Sequence, residues 1–262
     1  KAALEGFKDV QGTSILVFYP SEGVSEVQRR QMVTQEGANV GVVAVEGNFD
    51  DAQTGVKQIF ADSAIRERLT QKHWKLSSAN SINWGRLAPQ IAYYFSAYHA
   101  LCGKGTIQAG DLVNFSVPTG NFGNILAGYY AKQMGLPVGR LICASNENNV
   151  LTDFLRTGVY DRNRPFHQTI SPSMDILISS NLERLLYHTT QGDTERIRSW
   201  MTQLNSQGRY EVDADTLAEI KKKFWAEWVS ETEAGQIIRQ VWEQEKYLLD
   251  PHTAVAWKAA AT

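Results

Sequence analysis

The chain has 262 residues, of which 43% are hydrophobic, 21% are charged and 10% are aromatic. This composition is typical of a globular protein with a large core, and it excludes disordered and collagen-like chains. The formal net charge of −2 gives no broad positive field that would attract nucleic acid nonspecifically. We therefore expect no nucleic-acid partner.

The sequence also argues against a membrane partner and a metal site. No uninterrupted apolar run reaches the roughly 18 to 20 residues that a membrane-spanning helix needs, and the first residues lack the pattern of a signal peptide. The only cysteines, Cys102 and Cys143, are far apart, and the five histidines share no metal-ligand spacing. These features predict a cytoplasmic protein with two free thiols.

Both ends of the chain have the pattern of interrupted helices. Residues 1–7 begin without an initiator Met or a capping residue, and residues 253–262 stop without a helix-ending Gly, Asn or Pro. We therefore expect the chain to be a piece of a longer protein, truncated at both ends, with some essential groups outside it.

Short β-branched or apolar runs predict strands, and helical stretches or long connections separate them. These runs are residues 14–19, 40–45, 112–117 and 141–144. The alternation predicts a parallel sheet with helices on its faces. Apolar residues at helical spacing from Leu87 to Cys102 predict one core helix, with Pro89 in its first turn.

The pattern changes after about residue 190, where the strand-like runs end. The spacing of one amphipathic helix is found in Leu217, Ile220, Phe224 and Trp228. A second helix is predicted to begin at Ser230, because Glu233 follows it at the spacing of a capping box. We therefore predict a helical C-terminal part.

The most informative segment is a predicted strand, residues 112–117, a polar loop, residues 118–124, and a predicted helix, residues 125–134. Gly120 and Gly123 permit a ligand to approach the backbone closely, and the N-terminus of the following helix favours negative charge. A phosphate is the natural ligand of such a loop, although a tight turn without a ligand has the same pattern.

A dinucleotide is one alternative ligand of this loop. Glu147 follows Gly123 by about 24 residues, near the position at which dinucleotide-binding folds have an acidic residue. The full GxGxxG pattern is absent, and the absence of a following Gly-Lys-Ser/Thr excludes a Walker loop. A phosphorylated cofactor or a phosphorylated substrate remains.

A second polar segment, residues 77–86, precedes the predicted core helix. It contains hydroxyl groups, two amides and Arg86, whose planar guanidinium suits a phosphate or a carboxylate of a substrate. Helix capping by Ser81 or Asn83 is the alternative interpretation of the same segment.

Together these segments resemble the threonine synthases, which are fold type II pyridoxal-phosphate enzymes. The clearest motif is Val-Pro-Thr-Gly-Asn-Phe-Gly-Asn at residues 117–124. Further matching motifs are residues 19–25, 45–51, 77–86, 127–128, 146–148, 171–176, 179–184 and 251–256. The resemblance extends over nearly the whole chain.

The resemblance implies the residues of a cofactor site and of a substrate site. The phosphate of pyridoxal 5′-phosphate would be bound by Thr119, Gly120, Asn121, Phe122, Gly123 and Asn124. Asn124 stands where we associate an Asp with the family, which leaves its side-chain contact open. The substrate would be contacted by Asn80, Ser81, Asn83 and Arg86.

The resemblance also implies the fold, which is the parallel-sheet, three-layer αβα core of the tryptophan synthase beta-like superfamily. Residues 1–105 would be part of the smaller α/β domain and the crossover. Residues 106–190 would be part of the large cofactor-binding domain, and residues 191–262 would be a helical extension of that domain.

The family converts O-phospho-L-homoserine and water to L-threonine and phosphate. Its lysine that binds the cofactor covalently would lie upstream of Lys1, so the resemblance implies no catalytic residue and no turnover for these 262 residues alone. Two alternatives remain open. One is another fold type II enzyme, such as a threonine or serine dehydratase or a cysteine synthase. The other is a noncatalytic homologue that binds a phosphorylated ligand.

Overall fold

The computed structural model describes residues 2–21, 24, 26–47, 49–80 and 82–262. The positions outside the described residues are Lys1 and the motif residues Glu22, Gly23, Ser25, Asn48 and Ser81. The chain divides into two compact units, one ending at Ala79 and the other running from Asn80 to Thr262. The domain boundaries that we predict at residues 105 and 190 remain predictions.

The first unit is built on two parallel strands. In chain order its described elements are α1 (Ala2–Phe7), β1 (Ile15–Pro20), α2 (Glu26–Val33), β2 (Val40–Val45), α3 (Phe49–Ala61) and α4 (Ser63–Gln71). β1 and β2 pair in register from Ile15 opposite Val40 to Pro20 opposite Val45. The structure thus confirms both strands that the apolar runs predict in this part of the chain.

The second unit contains the remaining elements. In chain order they are α5 (Trp84–Leu87), a 3-10 turn (Ala88–Gln90), α6 (Ile91–Gly103), β3 (Val113–Pro118), α7 (Gly123–Gln133), β4 (Val138–Ser145), α8 (Val150–Thr157), β5 (Val159–Asp161), a 3-10 turn (Pro172–Met174), α9 (Leu182–Thr189), α10 (Thr194–Gln207), β6 (Arg209–Glu211), α11 (Ala214–Lys221), β7 (Phe224–Trp228), α12 (Glu231–Glu245) and α13 (Pro251–Ala260). β5 and β6 form a short antiparallel pair.

The main sheet of the second unit has parallel strands in the order β3, β4, β7. Side chains of the central strand β4 alternate between its faces, because Leu141 and Cys143 join one buried cluster while Ile142 and Ala144 join another. α7 and α8 contribute to the first cluster, and α13 contributes to the second. Helices therefore cover both faces of the sheet, which confirms the predicted three-layer α/β core.

One predicted helix is wrong in its second half. α11 ends at Lys221, and residues Phe224–Trp228 form β7, which pairs with β4. Phe224 and Ala226 are buried whereas Trp225 is exposed, so the segment follows the two-residue period of a strand. The apolar spacing of this segment fits both a helix and a strand. Its backbone groups find hydrogen-bond partners in β4, and this pairing decides in favour of the strand. The C-terminal part is therefore not purely helical.

The other predicted helices are found with small differences. The predicted core helix is divided into α5, the 3-10 turn that contains Pro89, and α6, whose Tyr94 and Tyr98 are buried. The predicted capping box is confirmed at the start of α12. There the Glu233 backbone N donates to Ser230 Oγ at 3.3 Å, and the Ser230 backbone N donates to Glu233 Oε2 at 3.0 Å.

Gly128 lets α7 pack closely on α6 and β4, and this yields a prediction. A Cβ there would lie 2.6 Å from Tyr94 Cε1 and 2.9 Å from Leu141 Cδ2. We expect Gly128→Ala to lower the free energy of unfolding by about 1–3 kcal/mol, because buried groups must move. Urea unfolding measures the change.

Gly235→Ala in α12 is the matched control, because a Cβ at Gly235 would meet no heavy atom within 4 Å. It should raise the free energy of unfolding by about 0.5–1 kcal/mol through better helix propensity. Stabilisation by both variants would show that the contacts of Gly128 do not limit the packing of α7.

Candidate functional site

The predicted phosphate segment, residues 119–124, comprises the turn that joins β3 to α7 and the first two residues of α7, and the turn is fixed at both of its ends. Thr119 donates its backbone N–H to Ala144 O in β4 at 2.8 Å. Phe122 precedes α7 with φ 61°, and its side chain is 1% exposed and packs on Phe224 at a ring-centroid distance of 5.6 Å. The side chain of Phe122 therefore anchors the loop in the core. Only the backbone of Phe122 is available for a ligand.

Five consecutive backbone donors of this segment have no partner among the described residues. In the part of the chain that the structure describes, the N–H groups of Gly120, Asn121, Phe122, Gly123 and Asn124 donate to no acceptor. They lie at the N-terminus of α7, where the helix dipole is positive. Five consecutive donors at a helix N-terminus suit an anion, so the loop fits a phosphate monoester.

The backbone acceptors of the same loop are occupied. Ser179 Oγ donates to Gly120 O at 3.0 Å, and Asn181 donates to Asn121 O from its backbone N at 3.2 Å and from Nδ2 at 3.0 Å. Sequence reasoning gave residues 179–181 no role beyond the resemblance. The signal that could have found them is a run of small polar residues directly before an apolar helix.

Gly120 also packs against the 3-10 turn Pro172–Met174. A Cβ at Gly120 would lie 2.9 Å from Ser173 O and 3.1 Å from Met174 Cα. Backbone atoms cannot move aside as a flexible side chain can, so this position requires a glycine for packing. Its φ is not in the left-handed region, so close approach is the reason for Gly here and backbone strain is not.

A buried polar network holds the chain next to that turn. The carboxylate of Asp175 accepts from Nδ2 of Asn146 at 2.7 Å and from Nδ2 of Asn148 at 3.1 Å. It also accepts from the backbone N of Thr169 at 2.8 Å and from its Oγ1 at 2.7 Å. Four donors for one buried carboxylate fix the segment that backs Gly120.

Two predicted cofactor residues direct their side chains to other groups. Tyr94 Oη donates to both Oδ1 and O of Asn124 at 2.8 Å, and Asn124 Nδ2 donates to Gln90 Oε1 at 3.1 Å. Burial raises the pKa of Tyr94, which keeps this donor protonated. Thr119 Oγ1 donates to Val117 O at 2.7 Å. Because its side chain is bound in this way, Asn124 has only its backbone N–H available for a ligand of the loop.

The described residues of the predicted substrate segment include Asn80 and Asn83, which precede α5, and Arg86, which lies within α5. Asn80 Oδ1 accepts from Ile82 N at 3.2 Å, and Asn83 Oδ1 caps α5 by accepting from Gly85 N at 2.9 Å. Ser81 lies outside the described residues. Arg86 is exposed, and its guanidinium forms no ion pair with the described residues. The capping interpretation thus holds for Asn83, and Arg86 is available to an anion.

The side chain of Arg184 joins this segment to α9. Its Nη2 donates to Ile82 O at 2.7 Å. Residues 179–184 therefore contact both residues 119–124 and Ile82 of the predicted substrate segment, and these contacts lie within the second compact unit.

The described residues provide neither a metal centre nor a membrane-spanning helix. Among the described residues, no group of three His, Cys, Asp or Glu side chains is placed to hold a metal ion. The described helices also include none that is both long and apolar enough to cross a membrane. Glu147, the acidic residue of the dinucleotide alternative, accepts from Glu231 N at 3.3 Å at the start of α12.

Comparisons with known proteins agree with this geometry. No family model matches the chain. Threonine synthase-like 1 of Macaca fascicularis is 46% identical over 97% of this chain and 35% of its own length. Threonine synthase of Eremothecium gossypii is 42% identical over 99% of this chain and 51% of its own length.

A solved structure gives the same result. The crystal structure of PLP-bound threonine synthase from Brucella melitensis aligns over 99% of this chain and 54% of that chain, with a TM-score of 0.86 and 42% identity. The chain thus spans about half, or less, of the length of the relatives that it matches.

These similarities identify the class of protein. The fold is that of the fold type II pyridoxal-phosphate enzymes. Within this class, the chain is a homologue of the threonine synthases over nearly its whole length.

The buried network yields a prediction about stability. The Asp175 carboxylate accepts four hydrogen bonds. Asp175→Asn would replace one of its oxygens with an NH2 group, which would face donors instead of acceptors. We expect the free energy of unfolding to fall by about 2–4 kcal/mol, because buried polar groups lose their partner. Urea unfolding measures the change.

Asp153→Asn provides the matched control. Asp153 is partly exposed and pairs with Arg164 at 2.8 Å, so the same substitution there should cost only about 0–1 kcal/mol. Equal losses in the two variants would contradict the role that we assign to the network.

Proposed function

We propose that the protein containing this chain is a pyridoxal-phosphate-dependent enzyme and that residues 119–124 bind the phosphate of its cofactor. The observation that carries this proposal is the run of five N–H groups, at the N-terminus of α7, that have no acceptor among the described residues. The Brucella melitensis homologue, which is PLP-bound, supports it, because its structure aligns over nearly all of this chain.

The chain's own contribution is to bind and orient. The N–H groups from Gly120 to Asn124 would donate to the phosphate oxygens, and the positive end of α7 would stabilise their charge. Pyridoxal phosphate supplies an electron sink for bonds next to the amino group of a substrate. The lysine that binds it covalently is proposed to lie upstream of Lys1, so no catalytic residue is assigned to this chain.

We propose O-phospho-L-homoserine as the substrate and L-threonine and phosphate as the products, with water as the second reactant. Arg86 supports this proposal, because it is exposed and forms no ion pair with the described residues, and a guanidinium can donate two parallel hydrogen bonds to a phosphate or a carboxylate. Asn80, Ser81 and Asn83 belong to the same proposed substrate segment. The prediction that the protein is cytoplasmic rests on the sequence alone.

Two other functions are outcomes of the same test. A noncatalytic homologue that binds a phosphorylated ligand would use the same loop without turnover, and one relative is named threonine synthase-like. Another fold type II enzyme, such as a threonine or serine dehydratase, would use the same loop with a different substrate.

The experiment is an assay of the full-length protein loaded with pyridoxal phosphate. We expect it to release phosphate from O-phospho-L-homoserine and to form L-threonine in equal amounts, whereas the 262-residue chain alone should show no turnover. Mass spectrometry of the product and a phosphate assay measure both quantities.

Each other result has a definite meaning. Conversion of threonine or serine to a keto acid, without phosphate release, would favour the dehydratase. Binding of pyridoxal phosphate without any turnover would favour the noncatalytic homologue. Turnover by the 262-residue chain would show that the covalent lysine is within it.

A further inference from the structure

Asn181 lies directly behind the proposed phosphate loop and is completely buried, with 0% of its surface exposed. Its backbone N and its Nδ2 both donate to Asn121 O, at 3.2 and 3.0 Å. Two residues earlier, Ser179 Oγ donates to Gly120 O at 3.0 Å. Ser179 is itself held, because its backbone N donates to Tyr160 Oη at 2.8 Å.

Peptide geometry converts these bonds into an orientation of the loop donors. In a trans peptide the C=O of one residue and the N–H of the next point in opposite directions, and the described chain has no cis peptide bond. Holding Gly120 O towards Ser179 therefore turns the N–H of Asn121 away from residues 179–181. Holding Asn121 O towards Asn181 turns the N–H of Phe122 away in the same manner.

Asn181 makes these bonds at a cost. Its Oδ1 is buried and has no hydrogen-bond partner among the described residues, and an unpaired buried polar atom is unfavourable. An apolar residue would fill the same space without this cost. The value of an amide here is thus its Nδ2 donor, which faces the loop.

We propose that Asn181 is a positioning residue for the cofactor phosphate: with Ser179 it fixes the carbonyl groups of the loop and so aims the N–H groups of Asn121 and Phe122 at the ligand. This inference rests on the proposed function, because it specifies how the same loop is made ready to bind. Asn181 itself does not contact the phosphate.

The test compares two ligands that differ only in the phosphate. Equilibrium affinities of the full-length protein are measured for pyridoxal phosphate and for pyridoxal, and their ratio gives the contribution of the phosphate. We expect Asn181→Ala to reduce this ratio about tenfold while the affinity for pyridoxal changes little. Asn181→Asp should reduce it at least as much, because a carboxylate has no donor for Asn121 O and repels it.

Tyr98→Phe is the matched control. It also removes a buried side-chain donor from backbone carbonyl groups, since Tyr98 Oη donates to Asp111 O at 3.1 Å. Those carbonyl groups precede β3, whereas the loop follows it, so Tyr98→Phe should lower stability and leave the ratio unchanged. The control therefore distinguishes a general loss of stability from a specific reduction of the affinity ratio.

Ser179→Ala supplies a second variant with a smaller change of volume. It should reduce the ratio in the same direction, and it decides the question if Asn181→Ala does not fold. Full retention of the ratio in Ser179→Ala and in every folded Asn181 variant would overturn the positioning role. Equal affinity of the unaltered protein for the two ligands would instead overturn the proposed phosphate site.

Discussion

Backbone N–H groups require hydrogen-bond partners, and residues 120–124, in the turn after β3 and the first residues of α7, have five consecutive ones without a partner in the described chain. Gly120, Phe122 and Gly123 are buried there, which limits the access of bulk water to them. A single anion can satisfy several such donors at once, and the dipole of α7 adds to the attraction. This constraint explains why a phosphate loop can be built almost entirely from backbone.

The side chains around the loop act mainly on its conformation. Phe122 anchors it in the core, Tyr94 and Gln90 hold the side chain of Asn124, and Asp175 fixes the segment behind Gly120. None of these contacts requires a ligand, so they would organise the proposed phosphate loop before a ligand binds. Preorganisation of this kind favours binding because less conformational entropy is lost on association.

Some of this arrangement could be predicted from sequence because it is local. Gly120 and Gly123 between a strand and a helix indicate an anion site, and Ser230 with Glu233 indicates a capping box that the structure confirms. The anion site at residues 119–124 and the substrate role of Arg86 stay predictions. Local patterns succeed here because the interacting groups are a few residues apart.

The rest depends on contacts between distant parts of the chain. β7 has an apolar spacing that also fits a helix, and only its pairing with β4 decides between them. The contact from Asn181 to Asn121 joins residues 60 positions apart, and the run of small polar residues before α9 does not indicate which loop they bind. The side chain of Asn124 is likewise bound by Tyr94, which is 30 residues away in the sequence. Only the packing of the folded chain brings the two residues together.

The central claim is that loop backbone amides bind the phosphate monoester, and NMR of the ¹⁵N-labelled chain tests it residue by residue. The account predicts that pyridoxal phosphate and inorganic phosphate shift the amide signals of residues 120–124, whereas pyridoxal leaves them in place. Shifts confined to other parts of the chain, with these five signals unchanged at saturating pyridoxal phosphate, would contradict it.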